Sequence, residues 1–433
     1  MPSNCLLSSR AFLYLLLLGS LGFLSECLFA QGNQFLSWQR NLIPGGRATL
    51  LGGAYTALAD DPSGTYFNPA GVVHGQEREV SISGNAYYSN TLVYEEAVRG
   101  EDFKETASGV IPTFLGGTTK IGKRLALSYA AMTLDSRNID QNNKFTDISN
   151  VVGEVNSFHR THQENNNLLL AGAGASWMFA ESFSLGMSVF YYQRSIVATN
   201  HQLVQFNGGA VQTVDQKYTT SNEGGATSAG VQVRMKNFAF GLAWKQFYAL
   251  TDKTMAFFDV VKQTPNEEGG FENPQVSSVE TEIRNFNELE TSTARGGIAW
   301  IPSPSFLLSA DVLFHPGIST PYNAEGGTDL VDTFNYSLGM EGVLGQHLIV
   351  RTGVFSNNSG YPILREGGKN QAPHIDYLGG AFGFGWKTKQ SDVSIGVVGQ
   401  FASGKAQIIS ESTEIQNVKG NSVLYLWSSK FAL

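Results

Sequence analysis

Asp311, Glu341 and Arg351 are charged residues set inside apolar, alternating stretches of a chain in which only 15% of residues are charged. Carboxylates beside a guanidinium could lock one part of the chain to another. The guanidinium itself could hold a carboxylate ligand, because the arginine fork matches a carboxylate through two parallel hydrogen bonds. The plainer reading is a structural ion pair, since charges taken out of water are normally paired; Glu341 falls opposite Arg351 across the turn Gly345-Gln346-His347. Other chemistry is thin. His159 and His162 sit in a polar stretch without cysteines or ordered acids, a poor metal set. Asp140-Gln141-Asn142 lacks the glycine and closing glutamate of a calcium loop. No Gly-x-Ser-x-Gly elbow, GxGxxG run or P-loop occurs, so the sequence offers no local enzyme signature, and no catalytic residue, metal or cofactor is expected.

Composition narrows the classes further. A net charge of -8 without any basic cluster excludes a nucleic-acid surface. Residues 1–30 read as a secretory signal peptide: Arg10 is the positive end, Leu13 to Leu18 the apolar run, and Leu28-Phe29-Ala30 the cleavage site before Gln31. The apolar run is short of the ~20 residues a spanning helix needs. Both cysteines, Cys5 and Cys27, fall in this segment, so a chain starting at Gln31 has no disulfide framework and no thiol chemistry. Leu24-Ser25-Glu26-Cys27 is a poor lipidation site, because Glu26 stands where a small residue is preferred.

The elements that must position the charged residues are strands. From residue 77 onward, segments alternate bulky apolar residues with Gly, Ser and Ala. Phe183, Leu185, Met187, Val189 and Tyr191 alternate with Ser184, Gly186 and Ser188; Phe238, Phe240, Leu242 and Trp244 alternate with Ala239, Gly241 and Ala243. Period two with one apolar face suits a soluble sandwich as well as a membrane barrel. The second face decides: small residues with occasional charges suit a lumen. About fourteen such segments occur, an even number typical of outer-membrane barrels, and the joins between them alternate. Short turns lie near 122–123, 180–182, 236, 302–304, 345–347 and 390; the joins 88–107, 135–165, 198–223, 250–291, 315–333, 358–375 and 402–421 are long and polar. A barrel with both termini in the periplasm produces this pattern. The 250–291 stretch could hide a further hairpin. The last segment, with Val423, Tyr425, Trp427, Phe431 and Leu433 on one face, suits the closing strand.

Residues 45–71 are too apolar for a linker and too broken by Gly and Pro for one regular element. The positions Gly46-Arg47-Ala48, Leu51-Gly52-Gly53-Ala54, Asp60-Asp61-Pro62 and Asn68-Pro69-Ala70-Gly71, in that order, resemble the N-terminal hatch of the FadL/TodX family of outer-membrane transporters for long-chain fatty acids and other hydrophobic compounds. The resemblance implies a signal peptide (1–30), a hatch in the lumen (31–76) and an all-β transmembrane antiparallel barrel (77–433). It implies passive uptake of a hydrophobic small molecule, most directly a long-chain fatty acid, which leaves sideways into the lipid of the outer membrane of a diderm bacterium. A monomer without nucleic-acid partners is expected. Gly46, Arg47, Gly52, Gly53, Ala54, Asp60, Asp61, Asn68, Pro69, Ala70 and Gly71 become gating candidates, and Gly116-Gly117 the candidate strand kink. Two other readings remain open: a barrel that docks or secretes a protein partner, and an open porin.

Overall fold

The computed structural model describes residues 42–98, 101–146, 155–283, 292–318, 330–368, 371–407 and 413–433; the expected signal segment with both cysteines, and the start of the expected hatch to residue 41, lie outside the described residues. A short α1 (Gly46–Leu50), α2 (Gly64–Phe67) and a 3-10 turn (Pro69–His74) come first. The strands that follow are β1 (Arg78–Val98), β2 (Glu101–Ile121), β3 (Leu125–Thr146), β4 (Val155–Ala180), β5 (Phe183–Phe206), β6 (Val211–Arg234), β7 (Phe238–Gln263) and β8 (Gln275–Ile283). The remainder are β9 (Ser292–Ser303), β10 (Phe306–His315), β11 (Thr333–Leu344), β12 (Leu348–Asn357), β13 (His374–Lys387), β14 (Ser391–Ala406) and β15 (Gln416–Ala432).

Antiparallel pairing runs from β6 through β1 to β15 and on through β9 to β7, and β6 also pairs β7. β8 pairs only with β7, so the closed wall has fourteen strands. The suspected hairpin within 250–291 exists but hangs on the rim, over Thr254–Lys262, without entering the wall.

Alternation sets the two surfaces. Met187, Val189, Leu242 and Ile395 are exposed on the outside, while Ser184, Ser188, Ala239 and Ala243 are buried inside. An apolar exterior is what lipid requires of a barrel, and closure leaves the wall without a free sheet edge. Tyr425, Trp427 and Phe431 of the closing strand lie on the outer face, and β15 pairs with β1.

Three of the expected long loops are corrected. Most of 88–107, 135–165 and 198–223 is strand, and β3 to β7 hold 22–26 residues each against 10–12 in β9 to β12. A tilted spanning strand needs only ~9–11 residues. Half of the wall therefore rises far above any bilayer as paired sheet, and the other half does not.

Candidate functional site

Residues 42–75 lie against the inner faces of the wall near its short-turn end, and polar contacts hold them there. Arg47 donates to both oxygens of Glu341, Nε at 2.8 Å and Nη2 at 3.0 Å, and to Asp60 at 2.8 Å. Glu341 and Arg351 face each other in the β11–β12 register, and Arg351 Nε reaches Glu341 at 2.7 Å. Arg351 passes the network on to Asp392 of β14 at 2.6 Å and Ser394 at 2.6 Å. Glu341 thus sits between a guanidinium of the N-terminal segment and one of the wall. Asp60 lies 3.5 Å from Arg234 of β6 as well. Burial alone would raise the Asp60 carboxyl, but Arg47 and Arg234 outweigh it and bring its pKa down to about 2.

Asp311 makes a second anchor. Its Oδ2 accepts from the backbone N–H of Tyr55 at 3.0 Å and Thr56 at 2.9 Å and from the Thr56 hydroxyl at 2.6 Å. Asn68 makes the third: its amide donates to Thr56 O at 2.9 Å and to Val231 O of β6 at 3.0 Å, while its Oδ1 accepts from Ala70 N. Pro69 opens the 3-10 turn, and Asp61 accepts from the N–H and hydroxyl of Ser63. The three wall charges read from the sequence are buried beside the N-terminal segment, but Asp311 belongs to an anchor separate from the Glu341–Arg351 pair.

A feature without an obvious sequence motif surrounds the segment. Gly186, Gly230, Gly241, Gly339, Gly353 and Gly396 stand on six strands, and a Cβ on any of them would overlap an atom of residues 50–70. At Gly186, Gly241 and Gly353 the obstructing atoms are backbone, those of Pro69, Thr56 and Gly52. Backbone can press on backbone here only because the wall residue lacks a side chain. Gly52 and Gly53 adopt left-handed φ of 64° and 84°, ending α1 and turning the chain back along the wall. The small-residue lumen face is thus the imprint of the segment it holds.

Among the described strands, pairing lapses most between β2 and β3, and not at Gly116-Gly117, which pair regularly with Ala130 and Tyr129 on one side and with Ser81 and Val80 on the other. Between Ala107↔Ile139 and Phe114↔Met132, β2 and β3 make no backbone pairs. Bulges stack at this height: the β1–β2 register shifts between Ser83 and Gly84, and the β3–β4 register between Thr133 and Asp135. Thr113 and Phe114 are consecutive buried residues, as are Thr133 and Leu134, which marks the slip in alternation. Pro112 stands in the unpaired run and has no N–H to offer a ladder. The Thr133 hydroxyl donates to Pro112 O at 2.9 Å, a side-chain bridge where a backbone bond would be.

A pocket of ≈650 Å³ occupies this break. Its lining includes the buried Ile111, Phe114, Met132 and Leu170 and the exposed Leu115, Leu169 and Tyr191, so residues of both faces of the wall border it. Pro112 inside an alternating segment was the available signal. His159 and His162, expected in a loop, stand on β4; their spacing of three puts them on opposite faces of the strand.

No family model and no curated relative matches the sequence. Solved structures do match. A FadL homologue of Pseudomonas aeruginosa superposes with a TM-score of 0.61 at 11% identity, over 91% of this chain and 99% of the other. The Pseudomonas putida toluene transporter TodX gives 0.60 at 11%, over 90% and 98%. The Ralstonia pickettii toluene transporter TbuX gives 0.58 at 14%, over 91% and 99%. Identities this low establish shape alone, and the shape agrees across nearly the whole of each chain: this protein has the FadL/TodX fold.

Proposed function

We propose that the protein sits in the outer membrane and lets hydrophobic compounds pass inward by diffusion, with residues 31–76 as a hatch that blocks the straight path and the β2–β3 break as the sideways exit. The observation that supports this reading is the ≈650 Å³ apolar pocket bordered by residues of both wall faces where pairing lapses. An apolar solute gains nothing from a watery lumen, whereas a wall opening keeps it out of water between the lumen and the lipid. The described lumen groups bind and position; among them none is arranged for bond chemistry. The structures this chain is similar to include toluene transporters, which supports a hydrophobic cargo. Long-chain fatty acids, the cargo implied by the sequence resemblance, are the first compounds to test.

Deleting Thr113 together with Leu134 removes the extra residues of two stacked bulges and should let β2 and β3 pair without interruption. The expected result is a folded, SDS-resistant barrel whose uptake of oleate or toluene into deletion-strain cells falls to the level of cells lacking the gene. Undiminished uptake through the re-paired barrel overturns the sideways exit. The docking reading draws on the tall rim of β3 to β7; a stable protein partner co-purifying, with unchanged uptake on gene deletion, would favour it.

A further inference from the structure

The lining of the pocket at the wall break is mostly apolar, and it contains no aspartate, glutamate, lysine, arginine or histidine. Asp135 and Arg194 follow Thr133 and Gln193 on β3 and β5, but they lie 3.9 Å from each other and outside the lining. The edges of β2 and β3 that lose their pairing add backbone dipoles and no net charge. An ionised carboxylate in this space would meet no countercharge, and taking it out of water costs far more than it does for a neutral hydroxyl or carbonyl.

The polar side chains that border the pocket differ in what they have left to offer. Ser83 Oγ shares a hydrogen bond with Thr113 Oγ1 at 3.0 Å, and the Thr133 hydroxyl donates to Pro112 O. Tyr191, Gln193 and Trp427 stand on the exposed outer face. Asn85 is 2% exposed, and its Nδ2 has no hydrogen-bond partner among the described residues. Just after Asn85 the β1 register shifts against both β15 and β2, and a bulge of this kind re-aims the side chain beside it. The last torsion of an asparagine is soft, so the amide can turn either end to the pocket. A buried amide N–H without an acceptor costs free energy that a ligand oxygen would recover.

We propose that the wall break selects a neutral apolar molecule bearing one oxygen group, an alcohol, phenol or ketone. Its oxygen accepts from the Asn85 amide, and its hydrocarbon body lies against Ile111, Phe114, Met132 and Leu170. The assignment rests on the uptake reading and narrows its cargo by charge. A fatty acid fits the break as its protonated acid and not as the carboxylate.

The test is equilibrium dialysis of the full-length protein in nanodiscs, with empty nanodiscs subtracted, at pH 7.5. The probes are naphthalene, 2-naphthol and 2-naphthoate, which share one ring system. The naphthol should bind about three- to tenfold tighter than naphthalene, and the naphthoate weakest of the three. Asn85→Leu, checked for SDS resistance, should erase the naphthol advantage and leave naphthalene unchanged. Naphthoate binding as tightly as naphthol, or a naphthol advantage that survives Asn85→Leu, overturns the assignment. The first of these comparisons needs only the parent protein, so it decides even where the variant does not fold. Naphthalene uptake by deletion-strain cells with and without the restored gene separates the two claims. Gene-dependent uptake without a naphthol advantage in binding refutes the site alone, and a naphthol advantage without gene-dependent uptake refutes the uptake reading alone.

Discussion

Glu341 accepts from guanidinium groups on two bodies, the N-terminal segment through Arg47 and the wall through Arg351. Removing its charge leaves both arginines buried beside each other, a loss of about 3–5 kcal/mol in comparable buried pairs. Glu341→Gln should therefore speed hydrogen exchange in residues 46–74 while the strands of the wall stay protected; equal protection in the variant would remove Glu341 from the docking. Acid acts on the same segment through His74, whose imidazole is brought down to about 4 by burial and then by Arg234. A released His74 titrates near ~6.5, so the freed segment holds more protons than the docked one between those values. Its contribution to docking is whole above about pH 6.5 and fades as pH falls towards 4. Asp60, held at about 2, keeps its contribution until far lower pH, losing it only as pH falls below the ordinary carboxyl range. Protease sensitivity of the segment should rise between pH 7.5 and 5, and His74→Gln should flatten that rise.

At the level of the elements, every wall strand was legible, because a bulky residue outside and a small one inside at period two is a hydrophobicity signal. The outer halves of β3 to β7 were not, since Asn138, Asp140, Asn165 and Gln163 are polar whichever face they take and leave no period to read. Arg47, Asn68 and the wall charges could be singled out by residue type. Their partners Arg234 and Asp392 could not, as no spacing announces contacts made across the lumen. The glycines of the lumen face looked like ordinary strand glycines, and only the packed segment shows why a side chain is missing there. Gly353→Val should push Leu51 and Gly52 off β12 at a cost of about 1–3 kcal/mol. Single-channel recordings in planar bilayers should then show frequent openings that the parent protein lacks. A silent Gly353→Val channel would mean the segment yields without leaving.

For the molecule as a whole, conductance is the sharpest reporter of the proposed hatch. Removing residues 31–76 should convert a nearly non-conducting barrel into a large, steady pore; an already large conductance that deletion does not increase would sink the plugged-barrel reading. The uneven height of the wall bears on a different matter, how such a barrel reaches its membrane position. β9 to β12 need carry little beyond their spanning residues across the lipid, but β3 to β7 must each bring an amide-rich tip of roughly a dozen residues through it. Backbone groups crossing hydrocarbon need partners throughout the passage. In the proposed membrane setting the tall half therefore carries more backbone through hydrocarbon than the low half, and its insertion is expected to be the slower of the two.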